Sequence, residues 1–138
     1  MKIRDNIGQE KATLSFEVFP PKKGTDFASV EAAALGIAAL RPSYMSVTYG
    51  AGGSTKGHTI KLANEIQEKY GVPTSAHLTC VCANKDSIRT ALSAMKNAGM
   101  DNILALRGDI PKNYDGQVLT DFAYASELVQ LIQARGDF

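Results

Sequence analysis

A chain of 138 residues is long enough for one domain with its own core and too short for two ordinary ones. Hydrophobic residues at 44% and charged residues at 21% suit a soluble globular protein, and a net charge of +1 leaves no electrostatic footprint for nucleic acid or an anionic membrane. No apolar run approaches the roughly 18 residues of a membrane span, and the mixed-charge start MKIRDNIGQEKA is no secretory signal, so a cytoplasmic protein is expected.

Residues 1–12 read as a lead-in and residues 13–138 as four units of one kind. Each unit opens on a short apolar run, and the runs recur at about thirty residues, the size of a βα unit. The first run, LSFEVF (14–19), leaves through Pro20 and Pro21 into an alanine-rich helix over about 26–40, expected to bury Val30, Ala33, Ala34 and Ile37. The second, SYMSVT (43–48), leads through the glycine-rich YGAGGSTKGHTI (49–60) to a helix with Leu62, Ile66 and Tyr70 on one stripe. Gly71 and Pro73 stop that helix.

The third run, SAHLTC (75–80), carries Cys80, with Cys82 two residues on, a spacing that puts both on one face of a strand. A structural zinc site needs four ligands and no second Cys/His pair stands at the right spacing, so both are expected as buried small side chains, with no metal. The helix after it shows Ile88, Ala91, Leu92 and Met95 at the 3.6-residue period, with Asn84 or Asp86 as cap and Gly99 as stop. The fourth run, NILALR (102–107), meets Gly108 and Asp109, and its helix shows Ala125, Leu128, Val129 and Ile132 behind a cap at Thr120 or Asp121.

Strands alternating with helices of this length argue for an α/β fold with parallel pairing. Ser15 and Glu17, Ser46 and Thr48, and Ser75, His77 and Thr79 each share one strand face, opposite Leu14, Phe16, Val18, Met45, Val47, Ala76 and Leu78. The fourth strand is less tidy, with Ile103, Ala105 and Arg107 opposite Leu104 and Leu106. An open sheet covered on both faces wants both apolar, whereas a barrel with an active-site lumen does not. The expected fold is a parallel (β/α) barrel, and four units are half of a TIM-type (β/α)8 barrel, which takes about 250 residues.

In such a barrel all strands end at one mouth, which here receives Glu17, Thr48 with Tyr49, His77 with Thr79, and Arg107-Gly108-Asp109. Each has a plainer reading: Glu17 pairing with a lysine, His77 as a satisfied core histidine, Arg107 and Asp109 closing a turn as an ion pair. Convergence of all four on one rim favours a site. The glycine-rich segment suits a phosphate or ring edge, although Lys56-Gly57 reverses the order of a P-loop.

Together, SFEVFPPK, SVTYGAGGST, AHLTC and ALRGD, in this order, resemble the methylenetetrahydrofolate reductase family over nearly the whole chain, matching the N-terminal half of its catalytic barrel. The resemblance implies a flavoprotein that uses FAD and takes NADH or NADPH as reductant. Its reaction reduces 5,10-methylenetetrahydrofolate to 5-methyltetrahydrofolate, in one-carbon metabolism toward methionine. By resemblance Glu17 is the general acid that assists opening of the folate's five-membered ring, and Asp109 lies near flavin and pterin, so both are catalytic and folate-binding. Thr48, Tyr49, Ala51, His77, Arg107, Gly108, Asp109, Tyr124 and Ala125 match flavin contacts, with Thr48 also placed for the nicotinamide. The expected partners are the folate substrate and either further copies of the chain or a C-terminal half-barrel, with no nucleic acid or membrane. Two alternatives stand beside this reading: a catalytically incompetent half-barrel that self-associates through its open edges, and a lyase or aldolase barrel without flavin.

Overall fold

The four apolar runs form strands β1 (Ser15–Val18), β2 (Tyr44–Val47), β3 (Thr74–Thr79) and β4 (Asn102–Leu106), alternating with helices α1 (Phe27–Ala38), α2 (Lys56–Tyr70), α3 (Lys85–Asn97) and α4 (Ala125–Arg135). The computed structural model describes residues 1–8, 12–21, 26–50, 56–110 and 120–138. The strands make one parallel sheet in the order β1-β2-β3-β4. A parallel neighbour needs a crossover, and α1, α2 and α3 each supply one. The result is half of a (β/α) barrel.

The alternation read from the sequence decides which face the helices cover. Met45 and Val47 of β2 and Ala76 and Leu78 of β3 are fully buried in one cluster. Leu62 and Ile66 of α2, Leu92 and Met95 of α3, Leu128 of α4, and Ala34 and Ala38 of α1 complete it. Burying each of the larger side chains stabilises the fold by roughly 1.5–3 kcal/mol. On β4, Ile103 and Ala105 pack against this cluster. Leu104 and Leu106 share the opposite face, where the register sets them level with His77 and Thr79. The inner wall is therefore polar on three strands and leucine-lined on the fourth.

Helix ends follow local chemistry, with one departure from expectation, at α4. Asp26 caps α1 by accepting from the Ala28 N–H at 3.0 Å. Asn84, not Asp86, caps α3: it accepts from the Ser87 N–H at 2.8 Å while the Ser87 hydroxyl accepts from the Asn84 N–H at 3.2 Å. Asp86 instead pairs with Arg89 at 2.9 Å. Thr120 and Asp121 do not cap α4. Its first turn is closed by Glu127, whose carboxylate accepts from the N–H groups of Ala123 (2.6 Å) and Tyr124 (3.0 Å). The Asp121 carboxylate accepts from the Lys85 N–H at 2.8 Å, and the Thr120 hydroxyl donates to the Cys80 carbonyl at 3.0 Å. These two residues dock the approach to α4 onto the start of α3 and the end of β3.

Three burial expectations shift. In α1, Ala33 is exposed and Val30 and Ile37 are half-buried, because the helix meets its neighbours along Ala34 and Ala38. In α4, Leu128 is buried while Val129 is 38% exposed, since the outermost helix is covered along a narrower stripe. Cys80 is buried, but β3 stops at Thr79 and Cys82 turns with φ at +55°, half-buried, so the shared-face spacing does not apply.

The lead-in packs under the sheet at the end where the strands begin. Residues Ile3–Asp5 form a 3-10 turn, Ile3 is buried, and its N–H donates to Asn102 Oδ1 at 2.8 Å. Asn102 Nδ2 in turn donates to the carbonyls of Met1 (2.9 Å) and Thr74 (3.2 Å). No helix among the described residues is long and apolar enough to cross a membrane.

Candidate active site

The inner face presents Ser15 and Glu17 from β1, Tyr44 and Ser46 from β2, Ser75, His77 and Thr79 from β3, and Asn102 and Leu104 from β4. A groove of about 710 Å³ runs along it, lined by Glu17, Tyr44, Ser46, Ser75, Asn102 and Leu104 among others. Leu104 is 44% exposed there, an apolar side chain in the open wall.

Glu17 and His77 meet in this face. The register puts Glu17 level with Ser46 and Ser75, so His77 lies two strands across and two residues further along. The glutamate spans that distance: its Oε2 lies 3.3 Å from His77 Nε2 and accepts from the Ser46 hydroxyl at 3.4 Å. The approach to Nε2 is off the line of a ring N–H, so the contact is electrostatic rather than a formed hydrogen bond, and Nε2 has no hydrogen-bond partner among the described residues. The Glu17 side chain is 46% exposed and that of His77 8%. Burial pushes the His77 pKa below its ordinary value, and the nearby Glu17 charge pulls it partly back.

The end of β2 is held from two sides. The Thr48 N–H donates to the Val18 carbonyl at 3.0 Å, and the Thr48 carbonyl accepts from the buried Thr59 hydroxyl of α2 at 2.8 Å. Tyr49 turns its ring onto the hydrophobic core, and burial raises its hydroxyl pKa. Ala51 lies outside the described residues. The β1 exit is tied to α2 as well: His58 Nδ1 lies 3.2 Å from the Pro21 carbonyl and its ring 4.9 Å from that of Phe27.

The end of β4 stays bonded to β3 beyond the strand, with Cys80 N–H donating to the Leu106 carbonyl (3.1 Å) and Val81 N–H to the Arg107 carbonyl (2.8 Å). Gly108 then turns with φ at +84°. A Cβ there would stand 2.8 Å from Val81 Cγ1 and 3.0 Å from Thr79 Cβ, so both conformation and space demand glycine. Arg107 and Asp109 are exposed and form no ion pair with each other. Tyr124 is 69% exposed at the start of α4, and Ala125 beside it is half-buried.

Side-chain contact thus joins Glu17 and His77. Thr48 follows at the end of β2, and Gly108 packs on Thr79. Arg107, Asp109, Tyr124 and Ala125 sit at the same pole but touch neither Glu17 nor His77. Three further residues act on the site: Ser46, Thr79 and Thr59. Thr59 carried a readable signal, because it stands at i before Leu62, Ala63 and Ile66 at i+3, i+4 and i+7, a polar residue in an apolar stripe. The Thr79 hydroxyl is buried and has no hydrogen-bond partner among the described residues.

A family model described as methylenetetrahydrofolate reductase matches residues 2–138. The chain is 40% identical over 140 residues to methylenetetrahydrofolate reductase (NADH) 1 of Zea mays, covering 99% of this chain and 24% of that protein. It is 37% identical over 139 residues to methylenetetrahydrofolate reductase 2 of Schizosaccharomyces pombe, covering 97% and 22%. With 5,10-methylenetetrahydrofolate reductase of Escherichia coli it shares 33% over 130 residues, covering 94% and 43%. The chain therefore spans about a quarter of the plant and yeast relatives and about two-fifths of the bacterial one. With a parallel half-barrel, a glutamate and a histidine on its inner face, and a family match across residues 2–138, this chain belongs to the methylenetetrahydrofolate reductase family.

Proposed function

We propose that this chain supplies the first half of a flavin-dependent (β/α)8 reductase that converts 5,10-methylenetetrahydrofolate to 5-methyltetrahydrofolate. The observation that carries this reading is Glu17, held on the inner face of a parallel sheet 3.3 Å from a buried histidine, in a chain of this family. FAD, when bound, supplies the hydride chemistry, and NADH or NADPH is the reductant; the Zea mays relative is named for NADH. The mature setting is cytoplasmic, in one-carbon metabolism toward methionine.

The chain's own residues then bind, orient and move a proton. Glu17 gives its proton to the folate's five-membered ring as that ring opens, which places general-acid catalysis on β1. Asp109 orients the pterin and lies beside the flavin. Thr48, Tyr49, Ala51, His77, Arg107, Gly108, Tyr124 and Ala125 would border the cofactor, with Arg107 as positive charge for its anionic portions. The fit rests on a buried polar atom, Thr79 Oγ1, that makes no hydrogen bond among the described residues, and on the exposed Leu104 of the neighbouring strand on the same face. Buried polar groups without partners are uncommon, and a polar ring with an apolar body satisfies both kinds of surface. Four further strands, from a C-terminal half-barrel, close the lumen.

The test is a chain extended through eight strands. It should purify with flavin absorbance and reduce the folate, and Glu17→Gln should slow folate reduction by about 100-fold or more while sparing flavin reduction by the nicotinamide. A colourless protein, or equal loss of both steps, overturns the reading. The exposed Leu104 beside the free edge of β4 supports a second one, self-association without catalysis. Sedimentation of the 138-residue chain as a monomer at micromolar concentration rejects it.

A further inference from the structure

We propose that His77 is a positioning residue for Glu17: it clamps the glutamate carboxyl across β2 and exchanges one proton with it. The proposal deepens the reading of Glu17 as the acid and rests on that reading for its catalytic consequence alone. An exposed glutamate on an open face has no need to reach two strands away. Glu17 does so, and its Oε2 lies 3.3 Å from His77 Nε2 while taking the Ser46 hydroxyl at 3.4 Å. His77 is 6% exposed, and the register sets it level with Leu104 on its β4 side, which has no polar atom to offer in the side chain. Among the described residues Glu17 is the titratable group that faces it.

Lone pairs of oxygen and nitrogen at this separation repel unless a proton lies between them. With the ring as imidazolium, the extra proton has two places between these atoms, on Nε2 and directed at the carboxylate or on the carboxyl and directed at the ring. A small rotation of the half-exposed glutamate completes that hydrogen bond, because Nε2 has no competing partner among the described residues. Transfer carries that proton from the imidazolium Nε2 to Oε2 and leaves a neutral imidazole, still protonated on Nδ1, beside a neutral carboxyl. A carboxylate that has lost its proton to a substrate is then beside a ring that, as imidazolium, returns one. The imidazole also fixes the carboxyl's direction, since a tethered acid is effective only when aimed.

The test reads the ring of His77 by NMR through a pH titration of the 138-residue chain, wild type against Glu17→Gln. Replacing an exposed carboxylate leaves the fold intact and removes the charge that favours imidazolium. The His77 inflection should move down by about one pH unit. In the wild type, the Glu17 carboxyl carbon resonance should move again over the pH range in which His77 titrates. An inflection unmoved in Glu17→Gln, or a Glu17 resonance blind to His77, overturns the proposal. A second variant, His77→Gln, keeps an N–H at the Nε2 position without a titrating ring; in the eight-strand enzyme it should retain folate affinity while altering the pH profile of folate reduction. An unchanged profile also counts against the pair. If the titrations are coupled yet Glu17→Gln reduces folate normally, the pair stands and the acid assignment falls.

Discussion

The hydroxyl of Thr59 donates to the carbonyl oxygen of Thr48 at 2.8 Å, joining the residue just after β2 to the first turns of α2 across the glycine-rich segment. Thr59 is fully buried, so the bond has no water to replace it. Thr59→Val keeps the shape and removes the donor, and should destabilise the chain by about 1–3 kcal/mol in urea unfolding. Thr59→Ser should recover most of that loss. Equal losses in both variants would show that the methyl group, not the hydrogen bond, matters here.

Gly108→Ala meets two penalties at once. Its φ of +84° costs a non-glycine residue roughly 1–2 kcal/mol, and a Cβ placed 2.8 Å from Val81 Cγ1 adds an overpacking cost of similar size. A total of about 2–4 kcal/mol is expected. Combining it with Val81→Ala relieves the steric part and leaves the backbone part, so the double-mutant cycle should show clear coupling. A loss under about 0.5 kcal/mol for the single variant contradicts the close approach.

His77 makes stability depend on pH in a predictable direction. Burial lowers its folded pKa, whereas the unfolded imidazole titrates near 6.5. Below pH 6.5 the unfolded chain therefore binds more protons, and stability falls as pH drops toward the folded value. Its contribution is fully present above pH 6.5. The stability difference between wild type and His77→Gln should be constant above that pH and shift against the wild type below it, with a difference in slope no greater than about 1.4 kcal/mol per pH unit. Parallel curves would mean that His77 titrates alike in both states.

Asp121→Ala should act at a distance along the chain. The carboxylate accepts from the Lys85 N–H at 2.8 Å, so its removal frees an amide at the start of α3. A loss of about 0.5–2 kcal/mol is expected, with faster hydrogen exchange at Lys85. Faster exchange confined to the first turn of α4 would instead restore Asp121 to that helix.

Periodicity made the four strands, the four helices and the polar inner face legible, because alternation of two and of 3.6 residues is a property of the chain itself. It could not foresee that Glu17 meets His77. Parity assigns a face but not the stagger between strands, and only the observed register, with Glu17 level with Ser75, brings the glutamate within reach of a residue two steps on. Thr120 and Asp121 misled for a related reason. A capping residue is recognised by type, but Asp121 takes an amide at the start of α3 and Thr120 bonds the Cys80 carbonyl. In α1, alanines outnumber larger apolar residues, so the sequence pattern marked the contact stripe only coarsely.

The order of the sheet bears on how the chain is made. Each strand after β1 is bonded to the one synthesised just before it, so each later βα unit has its partner waiting as it leaves the ribosome. The exception is Ile3, whose amide bonds to Asn102. The opening turn must therefore wait, solvated, until the fourth strand has emerged, and its docking is the latch that closes the nascent half-barrel from below.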